Sequence, residues 1–110
     1  MTQRNIGART LKEMLERGER VTVVDVRKRE EHGEGSIPGS VNFDAYDALK
    51  AGDERAMEGL KLPEGARVVT FCNRGHSGSV AAEQLRQRGY EAYSLKGGLE
   101  AWKDLQRTRA

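Results

Sequence analysis

Apolar positions first recur at helical spacing over residues 8–17, where Leu11, Met14 and Leu15 share one face and Gly18 ends the pattern. The spacing predicts a short amphipathic helix whose wet face carries Arg9, Lys12, Glu13, Glu16 and Arg17. Residues 21–26, Val-Thr-Val-Val-Asp-Val, are β-branched and almost wholly apolar, as in a strand buried on both faces of a parallel sheet. A polar run from Arg27 to Gly35 then fits a short helix or loop, and a turn over Ser36-Ile37-Pro38-Gly39-Ser40 precedes a brief strand at Val41-Asn42-Phe43. Residues 44–50 and 53–60 read as two small helices, each opening on a potential Asp cap, with Ala51-Gly52 between them. Pro63-Glu64-Gly65 turns into an apolar strand that ends at Cys72. A loop is expected to follow through Ser79, then a helix from Val80 to about Arg88 with Ala81, Ala82 and Leu85 inward, stopped by Gly89. A last strand over 90–95 leads through Lys96-Gly97-Gly98 into a closing helix carrying Leu99, Trp102 and Leu105, and residues 107–110 are expected to fray.

Strands alternating with helices imply a parallel sheet covered on both sides, with sites forming beyond the carboxyl ends of the strands. Three segments should then converge on one rim: Asp25 to Arg27, Cys72 to Ser77, and Lys96 to Gly98. With 110 residues the chain has the size of one domain, spanning 1–110. A third of the residues are charged, yet the net charge is only +2 and the signs are interleaved, which argues against a nucleic-acid partner. No stretch has the length to cross a bilayer and the first ten residues contain no apolar signal region, so a cytoplasmic protein with no membrane partner is expected.

The single cysteine rules out an internal disulfide and a multi-cysteine zinc site, and no metal or cofactor is expected. Taken alone, a free cysteine reads as a small buried hydrophobe. Its place at the end of a strand, before a glycine-bearing loop and a helix start, changes that reading. The first N–H groups of a helix lack intrahelical partners and carry partial positive charge, which favours a thiolate set before them. Gly75 and Gly78 permit backbone angles that turn several amides toward one point. Arg74 and His76 add cationic or hydrogen-bonding side chains.

Asp25-Val26-Arg27 with Glu31, the run Gly35-Ser36-Ile37-Pro38-Gly39-Ser40-Val41-Asn42, the Cys72-Asn73-Arg74-Gly75 loop entry and Leu95-Lys96-Gly97-Gly98-Leu99-Glu100-Ala101-Trp102 together resemble the single-domain rhodanese family of sulfurtransferases, over nearly the whole chain. The resemblance implies an α/β fold, a single three-layer α/β/α domain with a central, mainly parallel five-stranded sheet. It also implies that Cys72 is the catalytic residue and carries a persulfide, with Asn73, Arg74, Gly75, His76 and Ser77 forming the substrate-binding loop. Sulfur would come from a small-molecule donor such as thiosulfate, or from a persulfide-donor protein, and pass to cyanide or a thiol; a monomer is expected. Asp25, Arg27 and Gly97 support the rim, the first two through backbone and ion-pair contacts. Gly97-Gly98 would permit close backbone approach to the loop, and Trp102 would pack in the core.

The sequence departs from the family pattern at several positions. An aromatic residue usual at position 32 is replaced by His32, read as an exposed loop residue, and a histidine usual at position 36 is replaced by Ser36. The loop of the family often reads Cys-x-x-Gly-x-Arg, and here its last position is Ser77, which brings efficient use of thiosulfate into question; Arg74 or His76 could substitute. His76 has two open readings, a substrate contact or a solvent-facing side chain. A cysteine phosphatase would need an arginine where Gly78 stands, as the bidentate partner of a phosphoryl group. The competing reading from another class is a rhodanese-like protein-binding module with a vestigial site, which Ser77 favours and Cys72 with Gly75 opposes. A sulfur-relay protein shares the chemistry and differs only in its donor.

Overall fold

The computed structural model describes residues 4–108. Five parallel strands form its sheet: β1 (Asn5–Ile6), β2 (Val21–Asp25), β3 (Val41–Asn42), β4 (Arg67–Phe71) and β5 (Glu91–Leu95), in the order β1-β5-β4-β2-β3. Helices α1 (Ala8–Glu16), α2 (Arg29–Glu34), α3 (Tyr46–Lys50), α4 (His76–Gln87) and α5 (Gly98–Arg107) connect or follow them. Successive side chains of a strand leave opposite faces of the sheet. Val23, Val69 and Phe71 therefore pack with Leu11, Leu99 and Trp102 of α1 and α5, while Val24 and Val68 pack with Leu49, Ala81, Ala82 and Leu85 of α3 and α4. The result is the expected three-layer arrangement, with both faces of β2 and β4 covered. Among the described residues no helix is long and apolar enough to cross a membrane.

The carboxyl ends of the strands lie in register, Asp25 beside Phe71 and Asn42, and Ile6 beside Leu95. From β2 the chain runs outward to β3, and from β4 it runs the other way to β5. The crevice opens where those directions diverge, above Asp25 and Phe71, as in other open parallel sheets.

Five segments differ from the sequence reading. Residues 53–60 form successive turns instead of a helix: Ala56, Glu58 and Leu60 each donate to the carbonyl three residues back, and Asp53 Oδ1 accepts from Arg55 N at 2.9 Å. Met57 and Leu60 are still buried, because the turns press against the same core as α3 and α4. Helix α3 begins at Tyr46 without a side-chain cap, since Asp44 Oδ2 accepts instead from Arg29 N. Helix α4 begins at His76, four residues before the apolar pattern starts, so its first turn is polar or glycine throughout. Strand β1 had no counterpart in the sequence reading; two residues suffice because Ser94 N and Lys96 N donate to Arg4 O and Ile6 O. Arg107, expected to fray, closes α5 with a bond to Asp104, whereas Arg109 and Ala110 lie outside the described residues.

Candidate functional site

Cys72 follows the last residue of β4 and is 6% exposed. Two backbone N–H groups donate to its Sγ, that of Gly75 at 3.1 Å and that of Gly78 at 3.3 Å. Gly75 precedes α4 with φ +116°, a left-handed backbone that an L-residue adopts only under strain, and Gly78 lies in the first helical turn. The sulfur thus sits at the positive end of α4, where N–H groups lack intrahelical acceptors. Thr70 Oγ1 donates to Gly78 O at 2.6 Å and pins that turn to the strand.

The opposite wall comes from α5. Leu99 N donates to Cys72 O at 2.8 Å and Glu100 N donates to Asn73 O at 3.0 Å. Gly98 makes this approach possible: its φ is +63°, and a Cβ there would stand 2.5 Å from Cys72 O. Gly97 lies alongside, its N 3.4 Å from where a Cβ on Gly75 would be.

Below the rim Asp25 is fully buried and accepts from many directions. Arg27 donates through its backbone N at 3.0 Å, Nε at 2.9 Å and Nη2 at 2.7 Å; Ser36 Oγ donates at 2.9 Å, and His32 Nδ1 lies 2.9 Å from Oδ2. Burial alone would raise the Asp25 pKa, but the hydrogen bonds from Arg27, His32 and Ser36 hold it below the ordinary carboxylate value. Arg27 shifts upward, chiefly through its hydrogen bond to Asp25 and against its own burial, with further help from the charges of Asp25, Glu31 and Cys72. It also donates to Gly35 O at 2.7 Å and, through Nη1, to Asn73 Oδ1 at 3.3 Å.

The remaining loop residues separate. Asn73 turns its side chain into this network, its Nδ2 donating to Glu31 Oε2 at 2.9 Å. Arg74 is 85% exposed and pairs with Glu100 at 3.0 Å. His76 is exposed at the first position of α4, and Ser77 is buried. His32 corrects the sequence reading: it belongs to α2, is half-buried and bonds to Asp25. No local pattern signals that contact, because Asp25 and His32 meet only when the chain turns back over the rim. Ser36 completes the same carboxylate.

A buried cysteine under converging amides, at the switch point of a five-stranded parallel sheet, defines a thiol site carried by a three-layer α/β domain. The Rhodanese-like domain model matches residues 7–105, and the chain belongs to that family. It is similar to the thiosulfate sulfurtransferase GlpE of Pseudomonas aeruginosa, at 30% identity over 94% of this chain and 87% of that protein. It is also 32% identical to a tRNA sulfurtransferase of Desulfurococcus amylolyticus over 79% of this chain, although it spans only 16% of that protein's length. The structure of the human single domain sulfurtransferase TSTD1 superposes with a TM-score of 0.72 at 26% identity, covering 99% of this chain and 100% of that one. The homologues are thus sulfurtransferases at modest identity, and the domain is one that supports sulfur transfer in general.

Proposed function

We propose that the chain is a sulfurtransferase, one domain over 1–110, that moves sulfane sulfur from thiosulfate or another sulfane donor to a thiophilic acceptor through a persulfide on Cys72. The observation that carries this reading is the pair of amide N–H groups, of Gly75 and Gly78, donating to Cys72 Sγ. The Cys72 thiolate attacks the outer sulfur of thiosulfate; a new S–S bond forms, the bond from that sulfur to the sulfonate group breaks, and sulfite leaves with the electron pair. Loop N–H groups stabilise the anionic terminal sulfur, as preorganised donors do for a developing oxyanion. Cyanide or a thiolate then attacks the terminal sulfur, the S–S bond breaks and its electrons return to Sγ. The nucleophile is already deprotonated, so no general base takes part.

Within this reading Arg74, His76 and Ser77 line the approach to the sulfur, and Asp25, Arg27 and Gly97 hold the rim. The protein acts as a monomer in the cytoplasm, on small-molecule donors and acceptors. Two observations support a second reading, a sulfur relay fed by a persulfide-donor protein: Arg74 is already paired with Glu100, and Ser77 brings no charge to bind a sulfonate. The test is thiocyanate formation from thiosulfate and cyanide by wild type and by Cys72→Ser. Cysteine-dependent turnover is expected. Equal turnover in the variant would remove Cys72 from the reaction. With no turnover in either, an added sulfur on Cys72 in the intact mass after exposure to a low-molecular-weight persulfide would support the relay, and no added sulfur with either donor would leave a binding module.

A further inference from the structure

The segment that delivers the Gly75 N–H group to the sulfur is Asn73-Arg74-Gly75, and only Asn73 has a side chain anchored beneath the rim. Among the described residues Arg74 is held only by an ion pair at the surface, with Glu100 also mostly exposed. Asn73 Oδ1 accepts from Arg27 Nη1, and its Nδ2 donates to Glu31 Oε2. We propose that Asn73 is a positioning residue, whose amide, clamped between Arg27 and Glu31, sets the approach of the Gly75 N–H group to Cys72 Sγ.

The chemistry of the two neighbours selects an amide. Arg27 presents a donor whose direction is fixed by its bonds to Asp25 and to Gly35 O, so position 73 must accept on that side. Glu31 presents a carboxylate, so position 73 must donate on the other. Asparagine does both on a short side chain. An aspartate would satisfy Arg27 and set two carboxylates face to face, and leucine would satisfy neither. Glu31 leaves from α2, a helix with no fully buried residue, which bonds to the rim through His32 and Glu31. The clamp therefore ties α2 directly to the residue after the cysteine, and any function for it rests on the reading of Cys72 as the sulfur carrier.

The experiment compares wild type, Asn73→Asp, Glu31→Gln and the double variant N73D/E31Q. Three quantities are read for each: kcat and KM for thiocyanate formation, the rate of Cys72 alkylation by iodoacetamide at one fixed pH, and Tm. Asn73→Asp is expected to lower kcat and the alkylation rate by about tenfold, the usual effect of losing one hydrogen bond to a charged group. Glu31→Gln alone should stay within about threefold of wild type, because an amide at 31 can still accept from Asn73. In the double variant both rates should recover to within about threefold, because the new amide donates to the new carboxylate. Unchanged rates in Asn73→Asp overturn the clamp. So does a loss that follows Tm and persists undiminished in the double variant. Should wild type form no thiocyanate and take up no sulfur on Cys72 from a low-molecular-weight persulfide, while alkylation still falls in Asn73→Asp and recovers in the double variant, the sulfur-carrier reading fails and the positioning role stands. If Asn73→Asp does not fold, Glu31→Ala, which leaves Asn73 Nδ2 without its acceptor on α2, must lower the alkylation rate, and an unchanged rate overturns the clamp.

Discussion

Replacing Gly98 by alanine separates the two supports of the cysteine loop, because α4 holds the sulfur and α5 holds the peptide groups behind it. An added Cβ would lie 2.5 Å from Cys72 O and 2.7 Å from Asn73 C and O, all backbone atoms with no flexible end to yield. The backbone there has φ +63°, which costs an L-residue about 1–2 kcal/mol. Relief of the overlap requires the start of α5 to retreat by about 1 Å toward ordinary contact distance. That retreat stretches Leu99 N to Cys72 O and Glu100 N to Asn73 O, now 2.8 and 3.0 Å, each worth about 0.5–1.5 kcal/mol net. The total loss expected is about 2–5 kcal/mol. Urea unfolding followed by circular dichroism measures it, with an unchanged m-value showing that the denatured state is the same. Gly33→Ala is the control: its position in α2 has open space and no positive φ, so it should be neutral or gain up to about 1 kcal/mol. A Gly98→Ala protein within about 1 kcal/mol of wild type would refute the claim that contact at this glycine holds the loop.

Further predictions follow from the same geometry. Asp25→Asn leaves the Arg27 guanidinium buried without its counter-charge and should cost about 3–5 kcal/mol at pH 7. Because the folded-state pKa of Asp25 is depressed, its stabilisation is complete above the unfolded value and is lost as pH falls through the folded one. The gap between wild type and Asp25→Asn should accordingly narrow in urea titrations below about pH 4, and a gap that is constant with pH would contradict the ionised pair. Gly78→Ala sets a Cβ 3.0 Å from Phe71 Cα, so the first turn of α4 must lift from β4 at about 1–3 kcal/mol, and kcat for transfer should fall more than KM rises. Arg74→Ala should leave Tm unchanged, since its ion pair is exposed, and raise KM for thiosulfate by about two- to fivefold; an unchanged KM would show that Arg74 does not attract the donor.

Much of the architecture is written locally in the sequence. Strands β2 and β4 announce themselves through compact apolar runs, and α1 and α5 through Leu11, Met14, Leu99 and Trp102 at helical spacing. Cys72 before a glycine-bearing loop was legible for the same reason, because strand end, glycine and helix start adjoin in the chain. Where the local signal is weak the tertiary structure decided. The polar run His76-Ser77-Gly78 became helical because Sγ accepts from the orphan Gly78 N–H, Thr70 donates to Gly78 O, and β4 lies against its inner face. Residues 53–60 stayed as turns because burying Met57 and Leu60 did not require a helix, and two-residue β1 exists only by pairing with β5. The network beneath the sulfur was the least legible part. Asn73 meets Arg27 across 46 residues of chain and Glu31 across 42, and His32 and Ser36 converge on Asp25 only when the chain turns back over the rim. Periodicity and turn chemistry report what a residue does to its immediate neighbours. Partners brought together across the sheet leave no such trace, because any polar side chain of suitable length would look the same until the fold had chosen which of them meet.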